Sequence, residues 1–305
     1  MAKILVTGGL GAIGRPLSEA LRGTGHDVWV SDRGHSPEPD YFRCDVGEFH
    51  QLENIFAGEN FDYVYHLAAE FGRRNGEDFY ESLWRTNAIG TKNVIRMQEH
   101  LKFRLIFSSS SEVYGDYKGV MSEDVMDTVA IRQLNDYAAS KWVNEIQIMN
   151  SADKFGTETV RVRLFNTYGP GEYYSEYRSA VCVLIYRALH NLPYVVYTKH
   201  ERTSSYIDDT IRTLSGIVGN FKPGEVYNVA GGEVHDMKRP SDIILDYLGK
   251  DDRLVEYCDF EEATTLVKKA DVSKAVRDLD HRGTVSLEEG IRRTIEWQKE
   301  IYGCA

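Results

Sequence analysis

The chain has 305 residues, 42% of them hydrophobic and 27% charged, proportions that exclude disordered, collagen-like and coiled-coil classes and fit a globular protein of one large or two unequal domains. Its net charge of −11 argues against general nucleic-acid binding, which depends on neutralising phosphates. The longest apolar runs, such as 181–185, fall far short of the roughly 20 residues that span a bilayer, and the N-terminus enters a strand-like run with no leader pattern, so the expectation is a cytoplasmic protein with no membrane partner.

In chain order, residues 3–7 read as a buried strand. A glycine-rich turn follows, then a helix at about 15–24 that Gly25 stops, and a second strand at 28–31. Strands at 61–67, 104–108 and 159–163 alternate with helices at 83–100 and 136–155. This alternation predicts an α/β fold, a doubly wound parallel sheet covered on both faces. After Asn166 the rhythm weakens, and Gly169, Pro170 and Gly171 mark a loop. Helices are expected near 179–190, 206–219, 239–248 and 286–300, with strand-like pieces at 194–197, 226–229 and 254–257. The expected division is a first domain over 1–165, rejoined by a return segment near 203–230, and a smaller mixed α/β domain over 166–305. Cys44, Cys182, Cys258 and Cys304 lie at no metal-ligand spacing and outline no disulfide framework, so reduced thiols and no metal are expected.

The opening turn reads Thr7-Gly8-Gly9-Leu10-Gly11-Ala12-Ile13-Gly14. Gly8, Gly11 and Gly14 between a strand and a helix supply a tight turn, close approach of the backbone to a pyrophosphate, and close helix–strand packing. The amides of Ala12, Ile13 and their neighbours at the helix start then face the phosphates. Asp32 ends the second strand, where a carboxylate accepts hydrogen bonds from both ribose hydroxyls and repels a 2′-phosphate. This favours NAD over NADP, although Arg33 beside it is a residue type that accommodates that phosphate. Asp45 and Val46 follow at a distance that suits the adenine edge.

Tyr137-Ala138-Ala139-Ser140-Lys141 lies early in a predicted helix, and the i, i+4 spacing puts phenol and ammonium on one face. A cation held nearby favours the phenolate, which can take a proton from a substrate hydroxyl while hydride leaves the same carbon. Upstream, Ser108-Ser109-Ser110-Ser111-Glu112 closes a predicted parallel strand, at the edge where such sheets bind ligands. Glu112 is read either as a carboxylate that moves a proton next to a transient ketone or as a solvated surface residue.

Together these residues resemble the extended short-chain dehydrogenase/reductase family, specifically its nucleotide-sugar epimerases and dehydratases. The marks are TGGLGAIG at 7–14, HLAA at 66–69, NAIGTKNV at 87–94, SSSSEVYG at 108–115, YAASK at 137–141, RLFNTYGPG at 163–171 and RTSSYIDD at 202–209, which cover nearly the whole chain. The resemblance implies a Rossmann domain with bound NAD and a smaller C-terminal domain that holds a nucleotide diphosphate-sugar. It implies Ser110, Tyr137 and Lys141 as the catalytic set, and places further cofactor contacts at Leu67, Ala68, Ala69, Asn87 and Ser108. Asn166 matches a residue that helps hold the substrate diphosphate, and Arg202 an arginine that binds the substrate's phosphate. A homodimer packed through helices at about 84–100 and 136–155 is a further implication.

The same resemblance implies oxidation of the sugar at C4, a second step made easy by the ketone, and return of the hydride. Ser110-Ser111-Glu112 is similar to the Thr-Ser-Glu version of some dehydratases and of nucleotide-sugar decarboxylases. A C4 ketone acidifies the C5 proton, and Glu112 is placed in sequence to accept it, so a 4,6-dehydratase is the leading expectation. A C4- or C5-epimerase comes next and a decarboxylase of a nucleotide-uronic acid third. A non-catalytic NAD(H)-sensing module is less favoured, because Ser110, Tyr137 and Lys141 are all present; a dehydrogenase that consumes NAD is a further option, distinguished by its need for stoichiometric cofactor. Ser111 stands where the glucose dehydratases have an acid. Glu70, Arg73 and Arg74 follow HLAA in an unusual stretch and are read as substrate contacts or solvent-facing residues. Arg178, in the polar aromatic loop 171–178, has the same two readings.

Overall fold

The computed structural model describes residues 1–304 and divides into two compact units. The first comprises Met1–Val113, Asn135–Arg163 and Ile211–Tyr227, and the second Tyr114–Leu134, Leu164–Thr210 and the remainder from Asn228.

The first unit is built on a seven-stranded sheet. Its elements in chain order are β1 (Lys3–Thr7), α1 (Gly14–Gly23), β2 (Asp27–Asp32), β3 (Tyr41–Arg43), α2 (Phe49–Gly58), β4 (Tyr63–His66), α3 (Arg73–Asp78), α4 (Tyr80–Trp84), α5 (Thr91–Leu101), β5 (Arg104–Ser110), α6 (Asp136–Phe155), β6 (Thr159–Leu164) and β7 (Val226–Val229). The strand order is β7-β6-β5-β4-β1-β2-β3. The β1 pairings with β2 and β4, and those of β2 with β3 and β4 with β5, are parallel. This is the Rossmann doubly wound arrangement, in which the order reverses beside β1 and opens a ligand crevice at the strands' carboxyl ends.

The central strands are near-continuous apolar runs because helices cover both faces. Ile4, Leu5, Val6, Val64, Tyr65 and Leu105 are all fully buried. On one face Leu52, Ile55 and Phe56 of α2 and Val94 and Ile95 of α5 pack against Leu5, Val64, Leu105 and Phe107. The longest helix of the unit, α6, has the bounds read from sequence. The Asn135 side chain accepts from the Ala138 amide at 2.8 Å and starts it, and Gly156 at φ +63° ends it.

The region expected as one helix over 83–100 differs. It runs through α4, then a π-helical turn at Arg85–Gly90, then α5. The wider turn repositions Asn87, whose side chain is fixed by Glu70 and Ser140, and π-turns inside α-helices cluster at such positions. Elements β3, α2 and α3 add to those expected from the sequence. The expected helix at 206–219 is α-helical only at Ile207–Gly216 and closes with a 3-10 turn at Ile217–Asn220.

In the second unit, helices Ala180–Leu189, Lys238–Leu248 and Leu287–Tyr302 pack on one another. Strands Tyr194–Tyr197 and Val255–Cys258 pair in parallel, and Glu201–Thr203 pairs antiparallel with Val234–Asp236. Among the described residues the four cysteines are unpaired, and no helix is long and apolar enough to cross a membrane.

Candidate active site and cofactor cradle

The glycine turn has the shape that a pyrophosphate needs. Gly8 sits at φ +70°, and a Cβ there would lie 2.7 Å from the Ala68 amide nitrogen. A Cβ on Gly14 would lie 2.2 Å from the Gly8 carbonyl oxygen. The start of α1 has no side-chain cap among the described residues and no acidic residue in its first turn, so an anion can take the capping role. The loop after β4 closes over the turn: the Leu67 amide bonds the Thr7 carbonyl and the Ala68 amide the Thr7 hydroxyl. His66, buried between the Thr7 and Thr91 hydroxyls at 2.7 and 3.0 Å, pins that loop. Burial pushes its pKa down to about 3, so it is neutral.

Asp32 is oriented by two amides at 3.1 Å, Leu10 on one carboxylate oxygen and Gly34 on the other, which leaves acceptor capacity on both. Arg33 forms an ion pair of 2.8 Å with Glu70. Arg33, Arg43, Asp45 and Gln51 line an open pocket of about 480 Å³. The Asp45 carboxylate accepts from the Gly47 amide, while Val46 is buried and packs in the core. The residues present therefore fit NAD: an uncapped helix start for the phosphates, an oriented carboxylate for a ribose, and a polar pocket beyond it.

At the carboxyl end of β5 the four serines have different partners. The Ser108 carbonyl accepts from Lys141 Nζ at 2.9 Å, and the Ser109 hydroxyl donates to Glu145 at 2.5 Å. The Ser110 hydroxyl accepts from the Glu112 amide at 3.2 Å and is hydrogen-bonded to the Tyr137 phenol. Ser111 is buried. Ser110, Tyr137 and Lys141 are thus brought together. Lys141 Nζ lies 6.0 Å from the Tyr137 ring centre and 5.1 Å from that of Phe107. Burial pushes Lys141 down to about 8, against the upward pull of Glu145.

The phenol itself is not acidified in the protein alone. Burial pushes Tyr137 above its ordinary value, the Ser110 hydrogen bond pulls it down, and the Glu112 charge adds to the rise. Desolvation is the main cause of that rise; the expectation of a lowered value counts on the positive nicotinamide beside the phenol as well as on Lys141.

Other residues singled out in sequence have structural partners. Glu70 holds Arg33, Asn75 at 3.1 Å and Ser82 at 3.3 Å, and its backbone is bonded in both directions by Asn87. Arg73 pairs with Glu77 at 2.7 Å, and Arg74 is exposed. Phe71, which no sequence motif marks, meets the Tyr137 ring edge-on at 5.8 Å while remaining 44% exposed.

In the second unit Asn166 adopts φ +41°, and its side-chain oxygen is buried without a hydrogen-bond partner. Arg202 is buried and bonds the Glu201 and Leu266 carbonyls and His200. Arg178 is exposed, but its loop is anchored: Tyr174 stacks on Tyr186 at 3.6 Å, and its amide donates to the Tyr302 hydroxyl.

The family model for the NAD dependent epimerase/dehydratase family matches residues 4–230. The chain belongs to this family. It is an NAD-dependent enzyme in fold, cofactor cradle and lineage. It is 28% identical to a UDP-N-acetyl-alpha-D-glucosaminuronate decarboxylase of Bacillus cytotoxicus, over 98% of each chain. It is equally 28% identical to a UDP-glucuronate 4-epimerase of Thermodesulfobacterium geofontis, over 98% of this chain and 97% of that one. Among solved structures it is similar to UDP-glucuronic acid 4-epimerase from Bacillus cereus in complex with UDP-glucuronic acid and NAD. That match has a TM-score of 0.88 and 26% identity, over 98% of this chain and 100% of that one.

Proposed function

We propose that this family member modifies a nucleotide diphosphate-sugar through transient oxidation at C4, and that the reaction is a 4,6-dehydration with Glu112 handling the C5 proton. The carrying observation is the cluster itself: Tyr137 hydrogen-bonded to Ser110, Lys141 fixed to the Ser108 carbonyl, and the Glu112 amide bonded to the same Ser110 hydroxyl. Bound NAD supplies the hydride acceptor and later donor. Tyr137 Oη takes the proton of the C4 hydroxyl and returns it, with Ser110 Oγ orienting that hydroxyl. Lys141, still a cation at neutral pH, stabilises the phenolate. The carboxylate of Glu112 accepts the C5 proton that the ketone acidifies. A simple C4 inversion leaves that carboxylate without a task.

A second reading is decarboxylation of a nucleotide-uronic acid, which Ser111 favours. Expelling water from C6 calls for an acid, and Ser111 is a buried, neutral hydroxyl at that point in the sequence, whereas loss of carbon dioxide beside a C4 ketone needs none. The uronate-handling relatives support this second reading. For the nucleotide we propose the second unit, with the unpartnered Asn166 oxygen and Arg202 as its contacts and Arg178 as a loop contact. We also propose a homodimer through the exposed Ile89 and Ile146, which light scattering tests directly.

The deciding experiment incubates the holoenzyme with a panel of nucleotide sugars and uronates in deuterated water. Dehydration gives loss of water with deuterium at C5 and no net change in NAD. Carbon dioxide release selects decarboxylation. Inversion at C4 without solvent label removes Glu112 from the chemistry.

A further inference from the structure

Glu145 is fully buried one helical turn beyond Lys141 and stands outside the Ser110, Tyr137 and Lys141 set. One carboxylate oxygen accepts from Ser109 at 2.5 Å and from Arg163 Nε at 3.0 Å. The other accepts from Arg163 at 2.8 Å and from Arg161 at 3.3 Å. A buried carboxylate keeps its charge only when paired and hydrogen-bonded, and this one has four donors. Burial works against the charge, but Arg163 and Arg161 outweigh it, so the carboxyl lies below its usual range.

The position matters more than the pairing. Ser109 lies between Ser108, whose carbonyl receives Lys141, and Ser110, which bonds Tyr137. Glu145 thus grips the strand end that seats both groups. The other neighbours of Lys141 add little positive pull. His66 of β4 is neutral, Phe107 offers a ring face, the Ser108 carbonyl is a dipole, and Glu112 acts on Tyr137. Arg161 and Arg163 of β6 bond the Glu145 carboxylate, and would repel the lysine without it.

We propose that Glu145 is a positioning residue for Lys141: its carboxylate, one helical turn away and held by Arg163 and Ser109, keeps the ammonium seated beside Tyr137. This rests on the catalytic reading only for its consequence, not for its measurement. Burial alone pulls Lys141 toward neutrality, and Glu145 is the charge that opposes it.

The test follows the 13Cε signal of Lys141 in NAD-loaded protein, assigned by its absence in Lys141→Met, across a pH titration. The wild-type midpoint is expected near 8. Glu145→Gln should lower it by about one pH unit or more, and Glu145→Asp should restore it. Arg161→Met, which removes a positive charge and keeps the carboxylate, should raise it and serves if Glu145→Gln does not fold. Midpoints that stay at the wild-type value in these variants overturn the proposal. The alkaline limb of turnover should move with the midpoint. A midpoint that moves while the limb stays fixed supports the role of Glu145 and overturns the catalytic assignment of Lys141 instead.

Discussion

Arg33, just beyond β2, and Glu70, just beyond β4, are joined by an ion pair of 2.8 Å. In the sheet β1 lies between those two strands, so the pair reaches across the carboxyl end of β1, where the glycine turn begins. The Arg33 side chain is more than half exposed, so the pair is worth about 1 kcal/mol or less. Arg33→Ala should speed NAD release by about twofold to fivefold at low salt. In the wild type, release should quicken as salt rises, and in the variant this dependence should flatten. Stopped-flow tryptophan fluorescence reads both.

Tyr137→Phe keeps the ring that Phe71 touches and removes only the hydroxyl, so melting temperature should scarcely change while turnover falls by about 10²–10⁴. Glu112→Gln should behave differently. Oxidation at C4, seen as transient absorbance at 340 nm with a nucleotide sugar, should persist, while deuterium exchange at C5 should fall by about 10² or more.

His66 gives a stability prediction with a definite sign. Its folded-state pKa of about 3 is below its ordinary value of 6.5, so between those limits the unfolded chain binds the extra proton. Stability should decline as pH falls from 6.5 toward 3, at up to about 1.4 kcal/mol per pH unit from this group. Denaturant midpoints measured against pH should show a shallower slope in His66→Gln than in the wild type.

Gly14→Ala forces a Cβ to within 2.2 Å of a backbone oxygen in the turn. We expect a loss of about 1–3 kcal/mol in stability, seen by urea denaturation without cofactor. NAD binding measured by calorimetry should weaken as well, because the turn must open to admit the added atom.

Where local chemistry is self-contained, it was legible in the sequence. The helix α6 carries its own cap at Asn135 and its own stop at Gly156, and its predicted bounds match. The motif residues Ser110, Tyr137 and Lys141 announce one another by spacing, and the structure brings them together. What stayed hidden depends on distant partners. The π-turn is fixed by Glu70 and Ser140 acting on Asn87, residues 17 and 53 positions away. The weight of Glu145 comes from Arg161 and Arg163, on a strand that follows the helix. The direction of the Tyr137 shift turns on desolvation, which spacing alone does not reveal.

The π-turn at Arg85–Gly90 amounts to one surplus residue lodged in an otherwise regular rod. Excising a single residue there would let the rod relax to ordinary winding with α5 roughly in its present register, so the damage would fall on Asn87 and its bonds to Glu70 and Ser140. Thr91 would still meet His66 and Val94 the core, while Asn87 lost the turn that carries it to the Ser140 hydroxyl. Length in this stretch is thus as constrained as residue identity, and a deletion is less tolerable here than most substitutions.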